Sequence, residues 1–297
     1  MPDTPPPDDH ALTADLLQLL DVAQTGEDRF EGPRKKGGVG RVFGGQVIAQ
    51  ALVAAERTVD PDRAAHSLHA YFLRGGSEDY PIELTVDRQF DGGSFSNRRV
   101  VASQQGKPIL NLAASFQKHQ PGLEHERTDL PDVPSPDQLE SDEVLREQVA
   151  ANLSERARRI FTEPRPIEIK AATGRHWLTE GPQPPVQNSW FRARAPLPDD
   201  PVIHRAVLAY LSDMQLLGTS IMPHGLSWMR GEVRSASLDH AIWFHAPFRA
   251  DEWLLYHCES PWSGGSRGFN RGEIFQNGRL VASVAQEGMI RPTGERK

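Results

Sequence analysis

Two stretches of this sequence repeat one another in register, and that repetition restricts the chain to folds that can be built twice. Residues 92–114 read GGSFSNRRVVASQQGKPILNLAA and residues 264–286 read GGSRGFNRGEIFQNGRLVASVAQ, aligned without a gap at an offset of 172 residues. Gly92/Gly264, Gly93/Gly265, Ser94/Ser266, Arg99/Arg271, Gln104/Gln276, Gly106/Gly278 and Ala113/Ala285 are identical. Each copy reads as a glycine turn, a strand, a Q-G or N-G hairpin turn and a second strand, so two copies of one small fold are expected. HAYFLR (69–74) is echoed by HAIWFH (240–245) at an offset of 171, which would set Ser237 against His66.

Elements read off the rest of the chain fit that duplication. Residues 1–10, rich in proline and aspartate, offer nothing to bury and are expected to be disordered. ALTADLLQLLDVAQT predicts a short amphipathic helix covering the N-terminal side. A helix over residues 45–58, rich in small apolar residues, precedes glycine-punctuated strands up to residue 117. The second half repeats the order, with a helix over 201–221 and strands over ASLDHAIWFHAPF and DEWLLYHCES. Between them, 118–189 reads as a proline-rich connection with one helical segment around 143–160. The expected division is 1–117, 118–189 and 190–297.

Composition removes several classes of function. With a net charge of −7 and no basic block, the chain lacks the electrostatic footprint of a nucleic-acid binder. No apolar run approaches the ~18 residues of a membrane span. The N-terminal decapeptide lacks the regions of a signal peptide, and one cysteine, Cys258, suits a reducing compartment, so the cytoplasm is the expected location. RFEGPRKKGGVGRVFGG (29–45) is no phosphate loop, because no G-K-[ST] follows and Phe43 stands where G-x-G-x-x-G needs its last glycine. No metal-ligand spacing is recognisable, and no cofactor is expected. GGSRG (264–268) fits the G-x-S-x-G of serine hydrolases, yet no histidine or aspartate follows Ser266.

Three residues break the pattern of their own element. Asp213 shares a helical line with Ala206, Tyr210 and Leu217, where a carboxylate is costly to bury unpaired. Gln286 falls on the apolar side of a strand, with Ala282, Val284 and Ile290, where the first copy has Ala114. Ser237 opens ASLDH. Each also has a plain structural reading, as an exposed acid, a satisfied amide and a strand-edge hydroxyl. Asp239 and His240 alternate faces and read as structural.

RVFGGQVIAQAL (41–52), HSLHAYFLRGG (66–76), DGGSFSNRRVVASQQGKPI (91–109), LDHAIWFHAPFRADEWLLY (238–256) and VASVAQEGMIR (281–291) together resemble the acyl-CoA thioesterase II family over nearly the whole chain. The resemblance implies an α+β double hotdog, two tandem copies of a long helix wrapped by an antiparallel sheet. It implies an acyl-CoA substrate, and an aspartate, a hydroxyl and a glutamine as catalytic groups, landing on Asp213, Ser237 and Gln286. A hotdog enoyl-CoA hydratase and a non-catalytic acyl-CoA-binding module are the alternatives. Arg98, Arg99 and Arg271, beside the repeated turn, are the candidates for holding the CoA phosphates. A homo-oligomer is expected, since such sheets have edges to cover.

Overall fold

The computed structural model describes residues 8–127, 129–150, 155, 158, 161–173 and 180–294. An N-terminal helix, α1 (Asp9–Leu20), leads to β1 (Ala23–Gly26), β2 (Arg29–Gly32), helix α2 (Gly44–Glu56) and strands β3 (Arg63–Phe72), β4 (Ile82–Asp91), β5 (Phe95–Gln104) and β6 (Lys107–Lys118). After α3 (Asp142–Ala150) come β7 (Ile167–Thr173), β8 (Val186–Ala193), helix α4 (Pro201–Ser212), β9 (Val233–Ser237), β10 (Asp239–Phe244), β11 (Leu254–Gly264), β12 (Arg267–Gln276) and β13 (Arg279–Pro292). Among the described residues no helix is long and apolar enough to cross a membrane.

These strands form one antiparallel sheet in the order β1-β2-β4-β5-β6-β3-β10-β13-β12-β11-β8-β7, with β9 also on β13. The halves join where β3 pairs with β10, from Ser67 opposite Trp243 to Tyr71 opposite Asp239. Helix α2 is buried from Gly45 to Ala55 without interruption, as an apolar, small-residue helix must be when a sheet curls around it and a second helix packs beside it. That second helix is α4, and one apolar core runs through both halves. The duplicated hairpins agree in backbone detail: Gln105 and Gly106 have φ of 50° and 70°, their counterparts Asn277 and Gly278 51° and 82°, the left-handed pair a two-residue turn requires.

Several sequence-based expectations change. Residues 1–7 lie outside the described residues, but Asp8 is ordered and caps α1 by accepting from Ala11 N at 2.7 Å, so the helix begins at Asp9. The connection 118–189 also carries β7 and the first half of β8, which extend the second half's sheet. Its helical segment is α3; most of the expected remainder to 160 lies outside the described residues. The helix expected over 201–221 stops at Ser212 and continues as two 3₁₀ turns, Leu216–Ser220 and Met222–His224. Those turns press onto the sheet at glycines, Leu217 over Gly288 and Ser220 over Gly268, an approach that any Cβ on the strands would block.

Register corrects the offset of the 240–245 echo. Leu112 pairs with Ala70 and its counterpart Val284 pairs with Ile242, so β3 and β10 are also related by 172 residues, not 171. Likewise Phe116 pairs with Ala65 and its counterpart Gly288 with Ser237, so Ser237 takes the place of Ala65, not His66. The shared His-Ala dipeptide pulled the alignment by one residue, whereas main-chain pairing sets which side chains face the core. Even the irregularity is duplicated, with a register shift between Ala65 and Ser67 and a break between β9 and β10 at Leu238.

Candidate active site

Asp213 is the C-cap of α4 rather than a residue on its face, and its side chain is 6% exposed. It is aimed at the inner surface of β13 and β10, where Gln286 is fully buried. Gln286 Nε2 donates to Asp213 Oδ1 at 2.5 Å, and Ser237 Oγ, at the end of β9, donates to the same oxygen at 3.4 Å. Gln286 Nε2 is also 3.1 Å from Ser237 Oγ. The carboxylate, hydroxyl and carboxamide picked from three separated stretches of sequence therefore meet.

Two further groups set the geometry, one of them read from the sequence as merely structural. The first is His240, whose Nδ1 lies 3.1 Å from Gln286 Nε2 and whose Nε2 lies 2.9 Å from Ser212 Oγ. Ser212 Oγ donates back to Ala209 O at 3.0 Å, so it must accept from His240 Nε2–H. That leaves Nδ1 as the acceptor, which in turn fixes the amide of Gln286 with its nitrogen toward His240 and Asp213. Burial depresses the His240 pKa to about 3, so the ring is neutral and the tautomer persists. The signal available in the sequence was the register: at an offset of 172, His240 replaces Leu68, an inward core position.

The second is the start of α2, contributed by the other half. Its first residues carry no side-chain cap, and the Gly45 N–H bonds the Asp213 carboxylate instead. A Cβ on Gly44 would lie 2.6 Å from Asp213 Oδ2, and one on Gly45 would collide with the Tyr210 carbonyl oxygen. The paired glycines at the head of the helix are what admit the carboxylate, and they were legible only as a helix start.

Electrostatics favour a carboxyl that can take up a proton near neutrality. Burial raises the Asp213 pKa to about 6, offset in part by the hydrogen bonds from Gln286, Gly45 and Ser237. Tyr256 supports the C-terminal end of α4 by donating from its hydroxyl to Ser212 O at 3.0 Å, its ring lying over bare Gly272. Cys258 is buried with its thiol pKa raised, the opposite of a nucleophile. Ser266, at φ 62°, forms with Gly265, at φ 56°, the left-handed pair of the β11–β12 turn. Among the described residues no cluster of metal-ligating side chains occurs.

The three arginines do not behave alike. Arg98 is 1% exposed and donates to Thr58 Oγ1 and O, Phe90 O, Asn97 O and Asp91, so its guanidinium is committed inside the first half. Arg99 and Arg271 stand exposed on the outer sheet face, opposite the inward trio, and Arg271 pairs with Glu259 at 2.5 Å.

This arrangement can be set beside known proteins. Residues 157–289 match the acyl-CoA thioesterase family and residues 33–117 match the acyl-CoA thioesterase N-terminal domain. The chain is 42% identical to human acyl-coenzyme A thioesterase 8, over 93% of this chain and 88% of the relative. It is 37% identical to acyl-CoA thioesterase 2 of Haemophilus influenzae, over 93% and 96%. Among solved structures it resembles an acyl-CoA thioesterase II, TesB2, from Mycobacterium marinum, with 41% identity, a TM-score of 0.76 and coverage of 95% and 99%. At the level of fold alone it resembles a hot dog protein from Alicyclobacillus acidocaldarius, with 18% identity, a TM-score of 0.71 and coverage of 92% and 97%. The fold is a double hotdog, and the chain belongs to the acyl-CoA thioesterase family.

Proposed function

We propose that this protein hydrolyses acyl-CoA thioesters to a free fatty acid and CoA, using a water activated by Asp213 and placed by Ser237 and Gln286. The observation that carries the reading is a buried carboxylate with its pKa raised to about 6, tied by 2.5 Å and 3.4 Å hydrogen bonds to an amide and a hydroxyl. Such a group is a base matched to near-neutral pH, and the serine beside it, Ser237, shares its hydroxyl between Asp213 and the Gln286 amide, which suits it to hold a water rather than to attack. Water therefore attacks the thioester carbonyl carbon directly, as Asp213 accepts one proton and later delivers it to the departing CoA thiolate. Neutral His240 keeps Gln286 from rotating.

The CoA phosphates fall to the exposed cations Arg99 and Arg271, not to Arg98. The halves divide as 1–117 and 190–297, with β7 and the first half of β8, from the 118–189 connection, extending the second. Strands β1 and β7 end the sheet and leave edges through which copies of the chain would associate. The single buried Cys258 suits the cytoplasm.

A thiol-release assay over acyl-CoAs of graded chain length, with Gln286→Ala in parallel, tests the reading. Thiol release by the wild type and its loss in the variant are expected. Binding of acyl-CoA without thiol release would favour an acyl-CoA-binding module, and hydration of an enoyl-CoA would favour a hydratase.

A further inference from the structure

Asn270 lies on β12 directly opposite Gln286 of β13, and both side chains are fully buried on the inner face of the sheet. Its Nδ2 donates to the Gln286 main-chain oxygen at 3.4 Å, an orientation that avoids bringing two oxygens together. Asn270 Oδ1 is left with no donor from the protein. Gln286 Oε1 is in the same condition, because its amide nitrogen is held by Asp213 and His240. Two directly paired residues of the strand pair β12–β13 thus each bury an amide oxygen without a donor. An unmet buried carbonyl is costly, and leucine or valine would fill the Asn270 position without that cost.

The first half shows that the position does not inherently carry an unmet group. The counterpart of Asn270 is Arg98, which opposes Ala114 and has every branch of its guanidinium hydrogen-bonded. An unmet oxygen appears at this position only where the catalytic amide stands across from it.

We propose that Asn270 is a fourth catalytic residue, its Oδ1 joining Gln286 Oε1 as an acceptor pair for the hydrogen of the hydrolytic water that Asp213 does not remove. This rests on the hydrolytic reading of Asp213, Ser237 and Gln286. In that step one O–H bond breaks toward Asp213, the water oxygen bonds to the carbonyl carbon, and the C–S bond breaks. The thiolate receives the proton from Asp213. The second hydrogen stays on oxygen during attack, and an acceptor that holds it aims the lone pair at carbon.

The test is Asn270→Leu, with Asn270→Val as a second variant of smaller volume, assayed for thiol release from an acyl-CoA alongside thermal unfolding. A fall in kcat of about tenfold to a hundredfold is expected, with KM within about twofold and Tm unchanged or raised. A merely structural asparagine would instead lower Tm in both variants and leave kcat of the folded fraction intact, and that result overturns the proposal. So does unchanged kcat at unchanged Tm, or a change confined to KM. Asp213→Asn run in parallel separates the two levels of argument. If it keeps full kcat, the hydrolytic reading itself fails; if it is inactive while Asn270→Leu turns over normally, only the role of Asn270 fails.

Discussion

The two halves share a register and a pair of hairpins, yet they fill their inward positions with opposite chemistry. Where the first half has Ala65, Leu68 and Ala114, the second has Ser237, His240 and Gln286. Where the second has Asn270 with an unmet oxygen, the first has Arg98 with all its donors used. Burying a leucine such as Leu68 stabilises by roughly 1.5–3 kcal/mol, whereas a buried imidazole or amide is tolerated only when its polar atoms find partners. The first half is thus the stabilising copy, and it lends the second its helix N-terminus at Gly44 and Gly45. Duplication allowed one copy to keep the fold while the other gave up apolar packing for a site.

The sharpest way to break this comparison is to remove the group with the largest expected role. Asp213→Ala should lower kcat by about 10²–10⁴ while the protein still unfolds cooperatively. Turning the second half into the first at Gln286→Ala should lower kcat by about 10², because a misplaced water costs that order. The same variant shifts the pH profile. With the Asp213 carboxylate as the proposed base, kcat/KM should rise with pH through about 6 and level above it, since His240 does not titrate there. The Gln286 bond lowers the Asp213 pKa, so its loss should move that acid limb to higher pH. An unmoved limb in the variant would mean another group sets it.

Smaller effects sharpen the contrast. Ser237→Ala reproduces Ala65 and removes a 3.4 Å hydrogen bond to Asp213 and a 3.1 Å one from Gln286 Nε2, so a loss in kcat of about tenfold is expected. At the far end, Arg98→Met should leave kcat and KM for acyl-CoA within about twofold but cost roughly 1–3 kcal/mol in chemical unfolding, because it strips partners from Thr58 and Asp91 inside the stabilising half. A raised KM with unchanged stability would return Arg98 to the substrate.

Much of this was legible in the residues. The 172-residue offset, the left-handed Q-G and N-G turns and the apolar periodicity are local patterns, and backbone geometry obeys them. The exchange of Ala114 for Gln286 was visible for the same reason, since strand alternation places both on the inner face. The error in the offset of β10 shows the limit. A shared His-Ala dipeptide outweighed the pairing that sets register, and with it went Ala65 as the true counterpart of Ser237 and any reason to single out His240.

The sequence by itself determined that one fold occurs twice, that the copies differ in polarity at a few inward positions, and which family the chain resembles, because periodicity and turn chemistry are short-range properties. Only the tertiary structure decided that Asp213 leaves its helix as a cap, that His240 and Ser212 fix the amide of Gln286, and that the head of α2 from the other half meets the carboxylate. Those facts depend on groups up to 168 positions apart in sequence, as Gly45 and Asp213 are. Their separation, orientation and burial arise when β3 pairs with β10 and α2 packs on α4, and no local pattern encodes the dielectric surroundings that raise the Asp213 pKa.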